Sequence, residues 1–284
     1  MQTDAAVSEA GRRAAWRPPR LDRSRLFALL FGGLVVAAWA ALWAWSASPW
    51  ARYLEHGRWT ELALLAPWCR ALPQGQWWLP ALLHGAGWLL MIAAMMLPTI
   101  YPILRLFGRM TAARANAAAL LSLVVLGYLA AWFGFGLAAH GLDRLLHRLA
   151  QDSPWMFTHG WVIGAAVLGA AGLFQFSALK YRCLDRCRTP IGFITQHWRG
   201  QAPVREALWL GAAHGMFCVG CCWALMLLMF VVGTGNLGWM LAIGAVMAAE
   251  KNLSWGRRLS APLGLLLVGA ALVEAATHLA AAVH

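Results

Sequence analysis

The sequence predicts an all-α protein: a polytopic transmembrane helical bundle of about seven spans, with the N-terminus inside and the C-terminus outside. Three observations predict it. The 284 residues are 61% hydrophobic and only 12% charged, against about a quarter charged in soluble domains. Apolar runs of about twenty residues recur, the length a helix needs to cross a bilayer core. Of the 23 Lys and Arg, 18 fall in segments 1–25, 98–116, 180–206 and 250–259, and 5 in segments 46–77 and 139–159. Basic residues concentrate in cytoplasmic loops, so this split sets the orientation. It also accounts for the net charge of +12 with the lipid bilayer as partner and no nucleic acid.

Residues 1–25 carry six Arg and no apolar periodicity, which predicts a disordered basic cytoplasmic tail. A transmembrane domain over 26–284 follows. The first span is 26–45, too long for the ~7–15-residue core of a signal peptide, so a retained anchor is expected, although Ser46, Ala47 and Ser48 offer small residues for cleavage. The next spans are 78–97, 117–138, 160–179 and 207–231. The sixth, 237–249, is short and borrows from the turn around Gly233–Gly238 or is shielded by its neighbours. The seventh is 261–283. Trp43, Trp45, Trp50, Trp77, Trp78, Trp155, Trp161 and Trp239 fall near the outer boundary, where indoles anchor helices.

Within the fifth span, "AHGMFCVGCCWALMLLM" places His214, Cys218, Cys222, Met226 and Met229 at steps of 4, 4, 4 and 3, one helical face. Cys221 sits beside them, and Gly211, Gly215 and Gly220 thin the helix for close neighbours. A single Cys or Met is ordinary core filler and a lone buried His is ordinarily a hydrogen-bonded core residue. Three of the six Cys within five residues is a different signal. Thiolate, thioether and imidazole donors favour a metal ion, Cu(I) over Zn(II), and suit hard cations poorly.

One helix cannot close a site, so donors at matching depth are sought on others. The second span offers Met91, Met95 and Met96. The fourth offers Gln175, followed at the membrane surface by Lys180, Cys183 and Cys187. The sixth offers Asn236, Met240 and Met247 on a stripe ending at Glu250 and Lys251. Intramembrane polar residues are functional by default, yet each has a bland reading. Gln175 bonds across helices, Glu250 neutralises Lys251, and Glu274 pairs with His278.

Other chemistries fit less well. Thiol–quinone exchange works on the oxidising side, where only Cys69 is expected. A bis-His haem needs two His at one depth; His84 and His214 differ, and His140 and His159 have no further support. No nucleotide-binding, zinc-protease or nucleophile-elbow motif is present.

"MMLP", "FQFSALKYRCLDRCRTP" at 174–190, "GAAHGMFCVGCCWALMLLMFVVG" at 211–233 and "NLGWM…EK" at 236–251 together resemble a bacterial family of predicted metal-binding integral membrane proteins (domain-of-unknown-function family 2182), over roughly residues 80–255. The resemblance implies a bacterial inner-membrane, multi-pass, metal-binding protein with no settled reaction. It points to Met95, Met96, Gln175, Lys180, Cys183, Cys187, His214, Cys218, Cys221, Cys222, Trp223, Met226, Asn236, Glu250 and Lys251. Gly235 and Phe174 stand where the pattern has Met and Tyr, and the first weakens a Met ligand at the outer turn.

The expected function is binding of a soft transition metal for transport, delivery or homeostasis, with a metal-delivery or membrane-enzyme partner. Cys183 and Cys187 would receive the ion, His214, Cys218 and Cys222 would hold it, and Met91, Met95 or Met247 would complete the shell. Met226, Met229 and Met240 would line a thioether path outward. The alternatives are a membrane-embedded redox or catalytic enzyme using the cysteines with Gln175, Lys180 and Glu250, and a structural assembly subunit.

Overall fold

The computed structural model describes residues 23–48, 78–153, 155–156, 159–233 and 235–281. Most of the expected basic tail, the loop carrying Cys69, and Trp50 and Trp77 lie outside them. Among the described residues every regular element is a helix. In chain order these are α1 (Arg23–Ser46), α2 (Trp78–Met95), α3 (Leu97–Met110), α4 (Ala117–Asp152), α5 (Gly160–Phe174), α6 (Ala178–Arg188), α7 (Pro190–His197), α8 (Pro203–Val232), α9 (Leu237–Asn252) and α10 (Ser260–Ala281). A short 3-10 turn, Gly256–Leu259, leads into α10.

Four helices are long and apolar enough to cross a membrane: α1, α4, α8 and α10 with its leading turn. The count rises to six if the bent pairs α2–α3 and α5–α6 are each one span. Two expected spans therefore differ from the sequence reading. The segment 160–179 is broken after Phe174, and the segment 237–249 is a helix of 16 residues, about 24 Å at 1.5 Å per residue.

Each break has a local cause. Pro98 has no N–H, so it cannot bond the carbonyl of Ala94 one turn earlier. The helix axis turns by 65° between α2 and α3. The freed Ala94 carbonyl accepts the indole N–H of Trp39 on α1 at 3.2 Å. The Met96 carbonyl, at the corner, accepts from the Thr99 hydroxyl at 2.7 Å and the Tyr128 hydroxyl at 3.2 Å. Between α5 and α6 the turn is 62°, and Ser177 caps α6 by accepting from the Lys180 N–H at 3.1 Å. Trp39→Phe leaves the Ala94 carbonyl without its partner. We expect it to cost about 1–3 kcal/mol, read as a lowered unfolding midpoint in detergent.

α8 is the central element. At its start Glu206 accepts from the backbone N–H groups of Arg199, Gly200, Gln201 and Ala202. At its end Gly233 takes φ 94°, a conformation that suits glycine. It packs most extensively on α4, then on α6 and α5. The α4–α8 contact is backbone to backbone. A Cβ on Gly211 would lie 1.9 Å from the Val124 carbonyl oxygen, and one on Gly127 would lie 2.1 Å from the Leu208 carbonyl oxygen.

Polarity runs opposite to that of a water-facing bundle. Leu29, Leu30, Leu34 and Val36 of α1 and Leu265, Leu266, Leu272 and Val273 of α10 are exposed, whereas Gln175, Lys180, Glu250, Lys251 and Ser260 are buried. An apolar exterior over a polar interior is the arrangement a bilayer demands.

Candidate metal centre

Both helix breaks meet at the C-terminal end of α9. On that helix Met240, Ile243, Gly244, Met247, Glu250 and Lys251 are buried, at steps of three and four along one face. On α6 the buried face carries Lys180, Cys183 and Leu184, with half-buried Cys187 one further turn along. α8 faces both with Cys218, Cys221 and Cys222, each at most 1% exposed.

Glu250 and Lys251 are adjacent, so their side chains diverge by about 100° around the helix. They do not pair with each other as the sequence reading allowed. Glu250 turns to α6: its Oε1 and Oε2 accept from the Lys180 ammonium at 2.7 and 2.9 Å. Ser260 at the start of α10 donates to Glu250 Oε1 at 2.7 Å. Lys180 also donates to Gln175 Oε1, and the Gln175 amide donates to the Ala171 carbonyl at 3.0 Å. Arg188 donates to the carbonyls of Glu250 and, at 3.0 Å, Ser254, closing the end of α9. This is a fully engaged ion pair, with the corner of α5–α6 on one side and the start of α10 on the other.

Lys251 turns to α8. Its ammonium lies 2.6 Å from Cys218 Sγ and 4.0 Å from Met96 Sδ at the α2–α3 corner. An ammonium has donors only, so the sulfur accepts, and a thiolate is its charge-matched acceptor. Tyr128 Oη of α4 lies 3.0 Å from the same sulfur. Sulfur contacts continue from there. Cys187 of α6, one turn beyond Cys183, packs half-buried against the same core. Cys221 Sγ lies 3.3 Å from Cys222 Sγ and 3.2 Å from the Cys218 carbonyl. Cys183 lies against Gly220, where a Cβ would sit 2.7 Å from its Sγ. All five are free thiols.

His214 stands one turn before Cys218, 2% exposed. Its ring is 5.9 Å from Tyr128 and 5.3 Å from Phe193, and its Nδ1 has no hydrogen-bond partner. An orphaned buried nitrogen is costly; protonated it lacks an acceptor, and unprotonated it offers a lone pair to a hydrogen-bond donor or a cation.

The structure therefore brings together Cys183, Cys187, Cys218, Cys221, Cys222, Met96, Lys251 and, one turn away, His214. Gln175, Lys180 and Glu250 form the adjoining ion-pair cluster. Met91, Met95, Met226 and Met247 are buried in the core, Met95 beside Gly244 of α9. Asn236 stands apart, exposed, with its Oδ1 capping the first turn of α9 by accepting from the Trp239 N–H at 3.2 Å. Glu274 and His278 do pair, at 3.4 Å on an exposed face, and His278 stacks on Trp161 at 5.1 Å. Tyr128 and Ser260 are absent from the sequence-based set. A phenol in the middle of an apolar span was the available signal for Tyr128.

Among the described residues no group of three or more His, Cys, Asp or Glu side chains is placed so that it could hold a metal ion. The donor types are nevertheless those a soft ion takes: free thiols on two packed helices, a thioether at their edge and an imidazole nitrogen without a partner. A family model described as "PpoB2: Copper chaperone" matches residues 85–274, a range that contains both clusters. No curated protein and no solved structure matches the chain.

Proposed function

The chain belongs to the PpoB2 copper chaperone family, and on that premise we propose that it is a multi-pass protein of the bacterial inner membrane that binds Cu(I) and hands it on. Copper is cargo here, not a resident cofactor. The ion is held among Cys187, Cys218, Cys221 and Cys222, with Met96 and His214 at the edge. Cys183 and Cys187 on α6 are its point of entry. The resemblance to the predicted metal-binding family 2182 is part of the same proposal, as is delivery to a partner protein.

The observation that carries this reading is the packing of Cys183 of α6 against Gly220, between Cys218 and Cys221 of α8. It brings together thiol-bearing faces of two helices separated by 30 residues of sequence or more. Soft sulfur donors gathered in an apolar interior select Cu(I) over harder ions. The adjoining Lys180–Glu250 pair has its hydrogen-bonding capacity engaged by Gln175 and Ser260, which favours a tether between α6 and α9 over an acid–base pair.

The proposed orientation is N-in and C-out. α3 and α6 carry Arg105, Arg109, Arg182, Arg186 and Arg188, which suits segments lying at the cytoplasmic boundary after each break. Arg188 holds the C-terminal end of α9 to that same boundary. With α9 running inward from the Gly233 turn, it is a short seventh crossing, and the thiols lie in the inner half of the bilayer.

Copper content tests the reading. We expect purified protein loaded anaerobically with Cu(I) to retain about one ion per chain, with sulfur neighbours in X-ray absorption, and Cys187→Ala/Cys218→Ala to retain almost none. Soft-ligand sites lose affinity steeply when thiolates are removed. Equal copper in both proteins, or copper bound through oxygen and nitrogen alone, overturns it.

A further inference from the structure

A cleft of about 510 Å³ opens where the end of α7 meets the start of α8, and its walls include Arg199, Gln201, Arg205, Glu206 and Trp209. None of its lining residues is a thiol or a thioether, and the copper reading makes no use of it. The segment that joins the two helices is braced. Trp198 meets Phe107 of α3 edge-on at 4.7 Å, and the Arg114 guanidinium stands 5.5 Å from the Trp198 ring. Glu206 accepts from four backbone N–H groups of the same segment, those of Arg199, Gly200, Gln201 and Ala202.

Those four bonds decide the charge of the cleft. A carboxylate offers about four acceptor sites, so the one carboxylate in the lining is taken up by the chain itself. The two guanidinium groups are not. Among the described residues, neither the Arg199 nor the Arg205 side chain has a hydrogen bond or an ion pair. Gln196, also in the lining, accepts from Arg186 through its side-chain oxygen at 2.9 Å, which leaves its amide N–H groups to donate. Donors without acceptors around one cavity are the chemistry of an anion site, and guanidinium groups take phosphate oxygens in pairs.

The flank below the cleft decides which anion. Arg205, Trp209 and Met216 are exposed on one side of α8, at steps of four and seven. Val204 and Leu208 are exposed beside them. From Arg205 to Met216 this strip runs about 17 Å along the helix, eleven residues at 1.5 Å each. A basic cavity at a membrane boundary with an apolar track leading from it matches a phospholipid, phosphate above and acyl chain below. A free phosphate would use only the upper half. Basic pockets at the cytoplasmic ends of spanning helices take anionic headgroups, and Trp209 stands where an interfacial indole does.

We propose that this cleft binds the headgroup phosphate of an anionic phospholipid, with Arg199 and Arg205 on the phosphate and an acyl chain along Trp209 and Met216. The site depends on α8 crossing the membrane and not on copper.

Lipid competition on the full-length protein in detergent tests it, with bound lipid counted by native mass spectrometry. Given equal amounts of phosphatidylglycerol and phosphatidylcholine, the wild type should retain one phosphatidylglycerol in preference. Arg199→Gln/Arg205→Gln should bind it about 30-fold more weakly, the combined effect of two basic residues near a charged membrane surface. Arg257→Gln/Arg258→Gln removes two exposed charges from the segment assigned to the same side, outside the cleft, and should keep the wild-type affinity. Equal losses in the two double variants mean diffuse attraction to charge and overturn the inference. A wild type without preference between the two lipids overturns it as well. Inorganic phosphate is the second arm. If it displaces the bound phosphatidylglycerol at the lipid's own concentration, the ligand is free phosphate and the lipid assignment falls. Copper uptake by Arg199→Gln/Arg205→Gln should match wild type, so failure of this inference and failure of the copper reading are read separately.

Discussion

Glu250→Gln should destabilise the protein by about 3–5 kcal/mol, the cost of leaving one member of a buried ion pair unmatched. The reason lies in the isolation of Lys180. Its ammonium is 0% exposed and is held by two oxygens of Glu250 and by Gln175. Glutamine keeps the shape and one acceptor oxygen but removes the charge, so an ammonium remains in an apolar interior with only neutral partners. Lys180→Met/Glu250→Gln should recover most of the loss, because removing both charges removes the desolvation problem along with the attraction. The double variant thereby separates a charge effect from a packing effect. The consequence should reach the thiols. Lys180 and Cys187 lie on one side of α6, two turns apart, so loosening that helix draws half-buried Cys187 away from the core it packs on. Alkylation of Cys187 by a maleimide should accelerate in Glu250→Gln and return toward wild type in the double variant. The checks are unfolding midpoints in detergent and alkylation rates. A single variant as stable as wild type, with unchanged alkylation, contradicts this account.

The outline of that arrangement was legible in the sequence, and its pairings were not. Helical class, the main apolar segments and the cysteine-rich face of α8 follow from composition and from steps of three and four. The same arithmetic groups Lys180, Cys183 and Cys187 on one face of α6. Periodicity, however, says which face a residue occupies and not what stands opposite. Glu250 and Lys251 looked like a self-neutralising pair because they are neighbours in sequence. On a helix neighbours diverge, and each found a partner on a different element. The break at Gln175 was hidden because it contains no proline. Pro98 was visible, but its effect on depth depends on Trp39 and Tyr128 arriving from other helices to satisfy the freed carbonyls of Ala94 and Met96. Asn236 shares a stripe with Glu250, yet it lies about 21 Å away along α9, at 1.5 Å per residue over fourteen residues. A shared stripe is therefore no evidence of a shared pocket.

Gly211→Leu should be the most damaging single substitution on the α4–α8 contact, and it should also dismantle the thiol site. Even one added carbon at Gly211 would sit 1.9 Å from the Val124 carbonyl oxygen, and the atoms it meets are backbone. No rotamer change relieves that, so the helices must part. Overpacking a well-filled interior costs about 1–3 kcal/mol when side chains can yield, and here they cannot, so the upper end or more is expected. Tyr128 follows Val124 by one turn and reaches Cys218 at 3.0 Å and the Met96 carbonyl at 3.2 Å. Parting α4 from α8 withdraws that hydroxyl from both. Copper retention should then fall together with the unfolding midpoint. Gly32→Ala on α1 is the matched control. A Cβ there meets nothing within 4 Å, and alanine is favoured over glycine inside a helix by about 1 kcal/mol, so that variant should be as stable as wild type or slightly more, with copper unchanged. If Gly211→Leu instead keeps both its midpoint and its copper, the close backbone contact does not hold the site together, and the position of Tyr128 against Cys218 must have another cause.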